Sequence, residues 1–146
     1  MATTITGRPR PRLEKGQRLT AAAGWVAASL GAVHVVVAPW DAREIWSSVA
    51  ADRWWNAFTL DRATTLAELK RSEAFWVSMG SFGAPMLILG AYLLWSVRQR
   101  RRVPAWVGVA LLVWGLPFVV VLPASPGWAI PVTGILVVLG DRRERR

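Results

Sequence analysis

Apolar residues along this chain fall into four runs separated by charged or turn-forming segments. The runs cover Thr20 to Trp40, Ala74 to Val97, Val103 to Pro123 and Ala124 to Gly140. The first three have the length of a bilayer-crossing helix, and the fourth approaches the roughly 17–25 residues that a tilted span needs. The pattern predicts an all-α fold, a four-transmembrane-helix up-down bundle with a helical external segment between the first two spans. In the first run Gly24, Ala27, Ala28 and Gly31 recur every three or four residues. They form a small-residue face that lets another helix approach closely.

The segments between the runs are read the same way. Asp41 to Glu73 is long for a structureless loop and predicts two short helices. One starts at Asp41 as N-cap and carries Ile45, Trp46 and Val49 on one face, and the other covers Thr64 to Lys70. With an apolar face, three Trp and near-neutral charge, this segment is expected to cap the bundle, the alternative being that it lies on the bilayer. Pro85 predicts a kink within the second run. Arg98 to Arg102 forms a tight turn, Pro104 opens the third helix, and Leu122 to Trp128 forms a hairpin turn. Residues 1–19 read as a disordered basic tail, 20–140 as the membrane domain and 141–146 as a second basic tail.

Charge changes the picture by giving the bundle an orientation. The formal net charge of +9 is unevenly placed. The N-terminal tail, the Arg98–Arg102 turn and the C-terminal tail together hold 13 basic and 3 acidic residues, whereas Asp41 to Glu73 holds 5 and 6. Basic residues are retained on the cytoplasmic side, so both termini are expected there, in a plasma membrane. Anionic headgroups are the partners this predicts. The basic clusters flank apolar runs instead of forming one folded basic face, which argues against nucleic acid. The apolar first run is long for a signal peptide and lacks a clean cleavage site.

No cysteine is present, which excludes disulfides and thiolate ligation, and a single histidine makes no metal or haem site within one copy. No cofactor is predicted. Trp40, Trp76 and Trp128 at the outer boundary, with Trp95 and Trp106 at the inner one, read as an aromatic belt.

Among polar residues inside the runs, His34 stands out, since an ionisable group within a membrane is a functional candidate. Counting helical rise places Ser78, Ser81, Pro117 and Thr133 at its depth. The plainer reading is a histidine hydrogen-bonded to a serine or a carbonyl. Glu73 is expected to open the second helix, where the helix dipole favours a carboxylate. Asp52 with Arg53, and Asp61 with Arg62, read as local pairs or caps. Trp46, Trp54 and Trp55 are expected to roof a pocket.

Gly31-x-x-His34, Asp52-Arg-x-Trp-Asn56, Ala74-Phe-Trp76, Pro104 with Gly108, and Leu122-Pro-x-Ser-x-Gly-Trp128 occur in this order. In this the chain resembles a group of small four-span bacterial membrane proteins catalogued as a domain of unknown function and DoxX-like in layout. The resemblance covers roughly 20–140, departs at Pro126, and implies four membrane helices with no activity to carry over.

The leading expectation is a membrane protein that binds a lipophilic ligand or a membrane partner through His34, Ser78, Ser81, Thr133, Trp46, Trp54 and Trp55. The alternatives are an intramembrane isomerase or cyclase using His34 and Glu73 for proton transfer, and a pore or transporter subunit acting as a homo-oligomer. Whether the chain is an enzyme stays open.

Overall fold

The computed structural model describes residues 13–55, 57–58 and 61–146. Most of the expected N-terminal tail, and Asn56 of the quoted motif, lie outside them. Among the described residues every regular element is helical. The order is α1 (Lys15–Ala32), a π-helical turn (Val33–Val37), α2 (Ala38–Asp41), α3 (Arg43–Ala51), α4 (Leu66–Val77), α5 (Gly83–Arg98), α6 (Ala105–Val121), a 3-10 turn (Pro126–Trp128) and α7 (Ala129–Glu144).

α1 runs through the π turn into α2 as one helical stretch, Lys15–Asp41, of 27 residues and mean hydropathy 1.8 over its most apolar window. It is long and apolar enough to cross a membrane. α5 and α6 are apolar but shorter. The π turn has a local cause. Pro39 has no N–H to give the carbonyl four residues back, and its ring would strike that carbonyl. The chain widens by one residue just before it, so that Ala38 N–H bonds to Val33 C=O.

The four long helices pack antiparallel, α1 lying between α5 and α7, and α7 against α6. Glycine sets these distances. A Cβ on Gly31 would lie 2.6 Å from Gly83 C=O, and one on Gly90 would lie 2.7 Å from Gly24 C=O. The small face of α1 therefore meets a small face of α5, backbone on backbone. Gly134 meets Gly108 C=O across α6 and α7 in the same way, at 2.7 Å.

Two buried layers fill the bundle. Ala27, Leu30, Met86, Leu111 and Ile130 form one, and Ala23, Leu93, Val103 and Val137 the other. Outward faces are apolar too, with Trp25, Ile88, Val113, Val120 and Val121 exposed. At the end where α1 begins and α7 ends, the buried Asp141 side chain receives hydrogen bonds from Arg102 and from Arg145, the latter at 3.1 and 3.2 Å. The Arg102 guanidinium holds this carboxyl below the usual aspartate range, against the burial that pushes it up. The pair ties the α5–α6 turn to the end of α7. That turn is a Schellman closure: Arg101 N–H bonds to Ser96 C=O and Arg100 N–H to Val97 C=O, with Arg100 left-handed at φ 52°.

Several boundaries differ from expectation. α1 starts at Lys15, inside the segment read as tail. Asp41 is the last residue of α2, not an N-cap; Ala42 precedes α3. The second run is not one kinked helix. α4 ends at Val77, and α5 begins afresh at Gly83. The break puts Pro85 in the first turn of α5, where its missing N–H costs no helical bond. α7 begins at Ala129 because Ser125 and Pro126 first form a turn, with Gly127 N–H bonded to Ser125 Oγ at 3.2 Å.

Replacing Gly31 with leucine should lower stability by about 3 kcal/mol, because backbone cannot yield to the new side chain. Thermal unfolding in detergent measures it. Ile88→Leu on the exposed face of α5 should leave the midpoint within error.

Candidate functional site

The site grows from the segment between α3 and α4. Thr65 starts α4 with a reciprocal cap: its hydroxyl accepts from Glu68 N–H at 3.2 Å, and Glu68 Oε2 accepts from Thr65 N–H at 3.2 Å. Glu68 Oε2 also accepts from Thr64 N–H at 2.7 Å and from the Thr64 hydroxyl at 2.9 Å. These bonds, the Thr64 N–H first, hold the Glu68 carboxyl below the usual glutamate range. With the start fixed at Leu66, Glu68, Arg71, Ser72 and Phe75 recur on one face at helical spacing.

That face meets aromatic rings from the preceding segment. Phe58 and Phe75 lie 4.8 Å apart between ring centres, Phe58 and Trp46 5.5 Å, Trp46 and Trp54 5.9 Å, and Phe75 and Trp76 5.2 Å. Arg71 sits 5.9 Å above the Phe58 ring and donates to Asp52 at 2.9 Å, tying α4 to the end of α3. Asp52 therefore pairs with Arg71 rather than with its neighbour Arg53. Two buried donors in this cluster, Trp46 Nε1 and Arg71 Nε, have no hydrogen-bond partner among the described residues.

Between this cluster and the chain leading into α4 lies a half-open cavity of about 450 Å³. Phe58, Phe75, Trp76, Ala57 and Ala63 supply its apolar wall; Asp61, Arg62, Thr64, Glu68, Arg71 and Ser72 supply its polar one. A volume of that size with one apolar and one polar side suits a small amphipathic molecule.

The residues singled out by sequence divide. Trp46 belongs to the aromatic cluster but does not line the cavity; Trp54 and Trp55 are exposed and do not line it. Glu73 is exposed in the middle of α4 and does not line it either. It is Glu68 that occupies the first turn of α4.

His34 lies in the π turn, its Nδ1 3.0 Å from Leu30 C=O of its own helix and its ring 4.7 Å from Phe82. Its Cβ packs on Gly83, beside which Ser81 Oγ accepts from Gly83 N–H at 3.0 Å. The Ser78 hydroxyl bonds to Ala74 C=O, and the Thr133 hydroxyl to Ala129 C=O at 2.7 Å. His34 and Ser81 are thus brought to one glycine, while Ser78 and Thr133 satisfy their hydroxyls within their own helices. Phe75 links the two regions, since its ring also covers Gly80 in the break between α4 and α5.

Arg71, Phe58 and Phe75 were not anticipated. The Thr65-x-x-Glu68 cap is the signal that reveals Arg71 and Phe75, because it sets the register in which Arg71, Ser72 and Phe75 share a face; no local signal marks Phe58.

Among the described residues these features define an all-helical protein with one helix long and apolar enough to cross a membrane and an aromatic-walled cavity beside its bundle. The chain belongs to a family of unknown function, DUF6463, whose model matches residues 18–144. No curated protein and no solved structure matches it.

Thr65→Ala should weaken the start of α4 by about 1 kcal/mol, seen as faster amide exchange over Leu66–Leu69 relative to α5. The Glu68 carboxylate, whose pKa is lowered in the fold, contributes fully above the ordinary glutamate range. Its contribution is lost as pH falls through the lowered value. Acidification should therefore loosen the first turn of α4 in the native chain and have no such effect in Glu68→Gln.

Proposed function

We propose that this chain is a plasma-membrane protein that crosses the bilayer four times, and that its external cavity binds a lipophilic small molecule with a polar end. The cavity carries the reading. Phe58, Phe75 and Trp76 offer the apolar body of a ligand a surface, and Arg71, Thr64 and Ser72 offer its polar end donors and acceptors.

The membrane part draws on three features. The long helices leave large apolar side chains exposed on their outward faces, among them Trp25, Ile88, Val113, Val120 and Ile135. Glycine-on-glycine contact is the packing mode of helices in lipid, where apolar burial gives no drive. Lys15, Arg18, Arg98, Arg100, Arg101, Arg102, Arg142 and Arg143 gather at the end where α1 begins and α7 ends, which supports a cytoplasmic position for that end beside anionic headgroups. α5, α6 and α7 are each only about 24–26 Å long at 1.5 Å per residue. The break before α5, the turn before α7 and the Trp residues at their ends supply the rest of the crossing. The resemblance to four-span bacterial proteins agrees with this layout.

The cavity is lined by neither His34 nor Glu73. This favours binding over acid–base chemistry by that pair.

Native mass spectrometry of the full chain released from lipid nanodiscs should show one small molecule retained per chain. Ser72→Trp, which fills the cavity from α4, should lose it while the unfolding midpoint stays within a few degrees. Retention by that variant, or no bound molecule in the native chain, contradicts the reading. Because the chain has no cysteine, single cysteines at Lys70 and Arg100 report topology. An impermeant maleimide should label position 70 and spare position 100 in intact cells, and the reverse pattern contradicts the assignment.

A further inference from the structure

The turn that follows α3 is strained in a way the cavity does not need. α3 closes with Arg53 N–H on Ala50 C=O at 3.1 Å and Trp54 N–H on Val49 C=O at 3.2 Å, leaving Arg53 left-handed at φ 63°. Glycine normally takes this position. Trp54 is left-handed as well, at φ 65°, and Trp55 N–H closes on Arg53 C=O at 2.7 Å. That three-residue γ-turn, with positive φ at a bulky residue, is rare and unfavourable. Two consecutive left-handed side-chain-bearing residues persist only where the surroundings impose them. Here the Asp52–Arg71 ion pair fixes one side of the turn, and the Trp46 ring holds Trp54 on the other.

The strain has one visible product: it turns a pair of tryptophans outward. Trp55 is 91% exposed and Trp54 56%. Neither packs on the bundle core nor lines the cavity. They stand at the same end of the bundle as Trp40 at the end of the α1–α2 stretch, Trp76 in α4 and Trp128 before α7, all exposed.

We propose that the Asp52–Trp55 turn is a wedge seated in the outer leaflet, with Trp54 and Trp55 at the boundary between headgroups and acyl chains and Arg53 among the phosphates. This rests on the reading of the chain as membrane-spanning with this segment outside. Three observations favour lipid over a second copy or another protein. Tryptophan is the side chain most enriched at that depth, where its ring is buried and its N–H stays hydrated. The exposed Trp residues at this end come from separate elements, as an interfacial belt requires and a single docking patch does not. Arg53, between the ring of Trp54 and the acid of Asp52, supplies a cation at phosphate level. The wedge would hold α3 and the cavity mouth at a fixed height over the bilayer, so that a lipophilic ligand enters from the membrane side.

The test uses the full chain in nanodiscs of phosphatidylcholine and phosphatidylglycerol, with an environment-sensitive fluorophore on a single cysteine. Trp55→Cys and Trp54→Cys report the wedge, and Ile88→Cys, on the exposed face of α5, reports a membrane span. Trp55 makes no ring contact among the described residues and is 91% exposed, so its variant keeps the fold, and helical circular dichroism verifies this. Labels at 55 and 54 should be blue-shifted relative to water, quenched by shallow spin-labelled lipid and spared by aqueous iodide. Iodide quenching at 55 and 54 with lipid quenching at 88 overturns the wedge and leaves the membrane reading standing. Iodide quenching at all three positions overturns the membrane reading itself. Shielding from both quenchers at 55, with disulfide cross-linking between chains, means a second copy covers the turn, and the lipid assignment is wrong.

Discussion

The structure depends on backbone meeting backbone where α1 crosses α5. Gly24 and Gly31 on one helix, with Gly83 and Gly90 on the other, remove the side chains that would otherwise hold the axes apart. Close approach multiplies weak dispersion contacts and lets each glycine carbonyl lie against its neighbour's Cα. Gly108 and Gly134 repeat the device between α6 and α7. With these distances set, His34 lies over Gly83, Phe82 turns its ring toward Trp114 and Phe118, and Met86 meets Leu30, Leu111 and Ile130 in one layer. Such packing keeps its strength in lipid, where the hydrophobic effect between helices vanishes.

Prolines then decide where the helices give way. Pro39 widens α1 into a π turn at the level of His34, and Pro85 sets the register at which α5 can begin. The second break has the larger consequence. It frees α4 from the axis of α5 and turns its Glu68–Phe75 face toward the segment between α3 and α4, where Phe58 completes the cavity. The distance from bundle to cavity is therefore a single aromatic ring, Phe75, which rests on Gly80 on one side and lines the cavity on the other.

Much of the helical layout is readable from periodicity, because long apolar runs and small-residue faces are local patterns. The small face of α1 is visible as Gly24, Ala27, Ala28 and Gly31. Helix ends are less readable because competing signals meet there. Asp41 has the chemistry of an N-cap, yet the helix entering through Pro39 continues to it. Glu73 follows polar residues and precedes an apolar run, yet the Thr65–Glu68 cap starts the helix two turns earlier. The cavity escapes a one-dimensional reading for the same reason. Its walls join Phe58 to Phe75, 17 positions apart in the chain, and only the register set by Thr65 shows that Arg71 and Phe75 face the same way. Composition singled out Trp54 and Trp55 as a roof, but two left-handed residues turn them away from it.

The opposite end of the bundle is held by charge. Asp141 is buried against Arg102 and Arg145, so one acid offsets part of the positive charge that crowds this end, while the described basic residues themselves stay exposed. A rigid basic end and an aromatic end joined by apolar helices define the polarity of the molecule. The most direct test of that claim is spin-label accessibility in a bilayer at Ile88, Val113 and Ile135, the exposed apolar positions of α5, α6 and α7. High accessibility to oxygen and low accessibility to an aqueous nickel chelate at all three is the result predicted. Nickel access at any of them would mean that its helix does not cross, and the four-span account would fail.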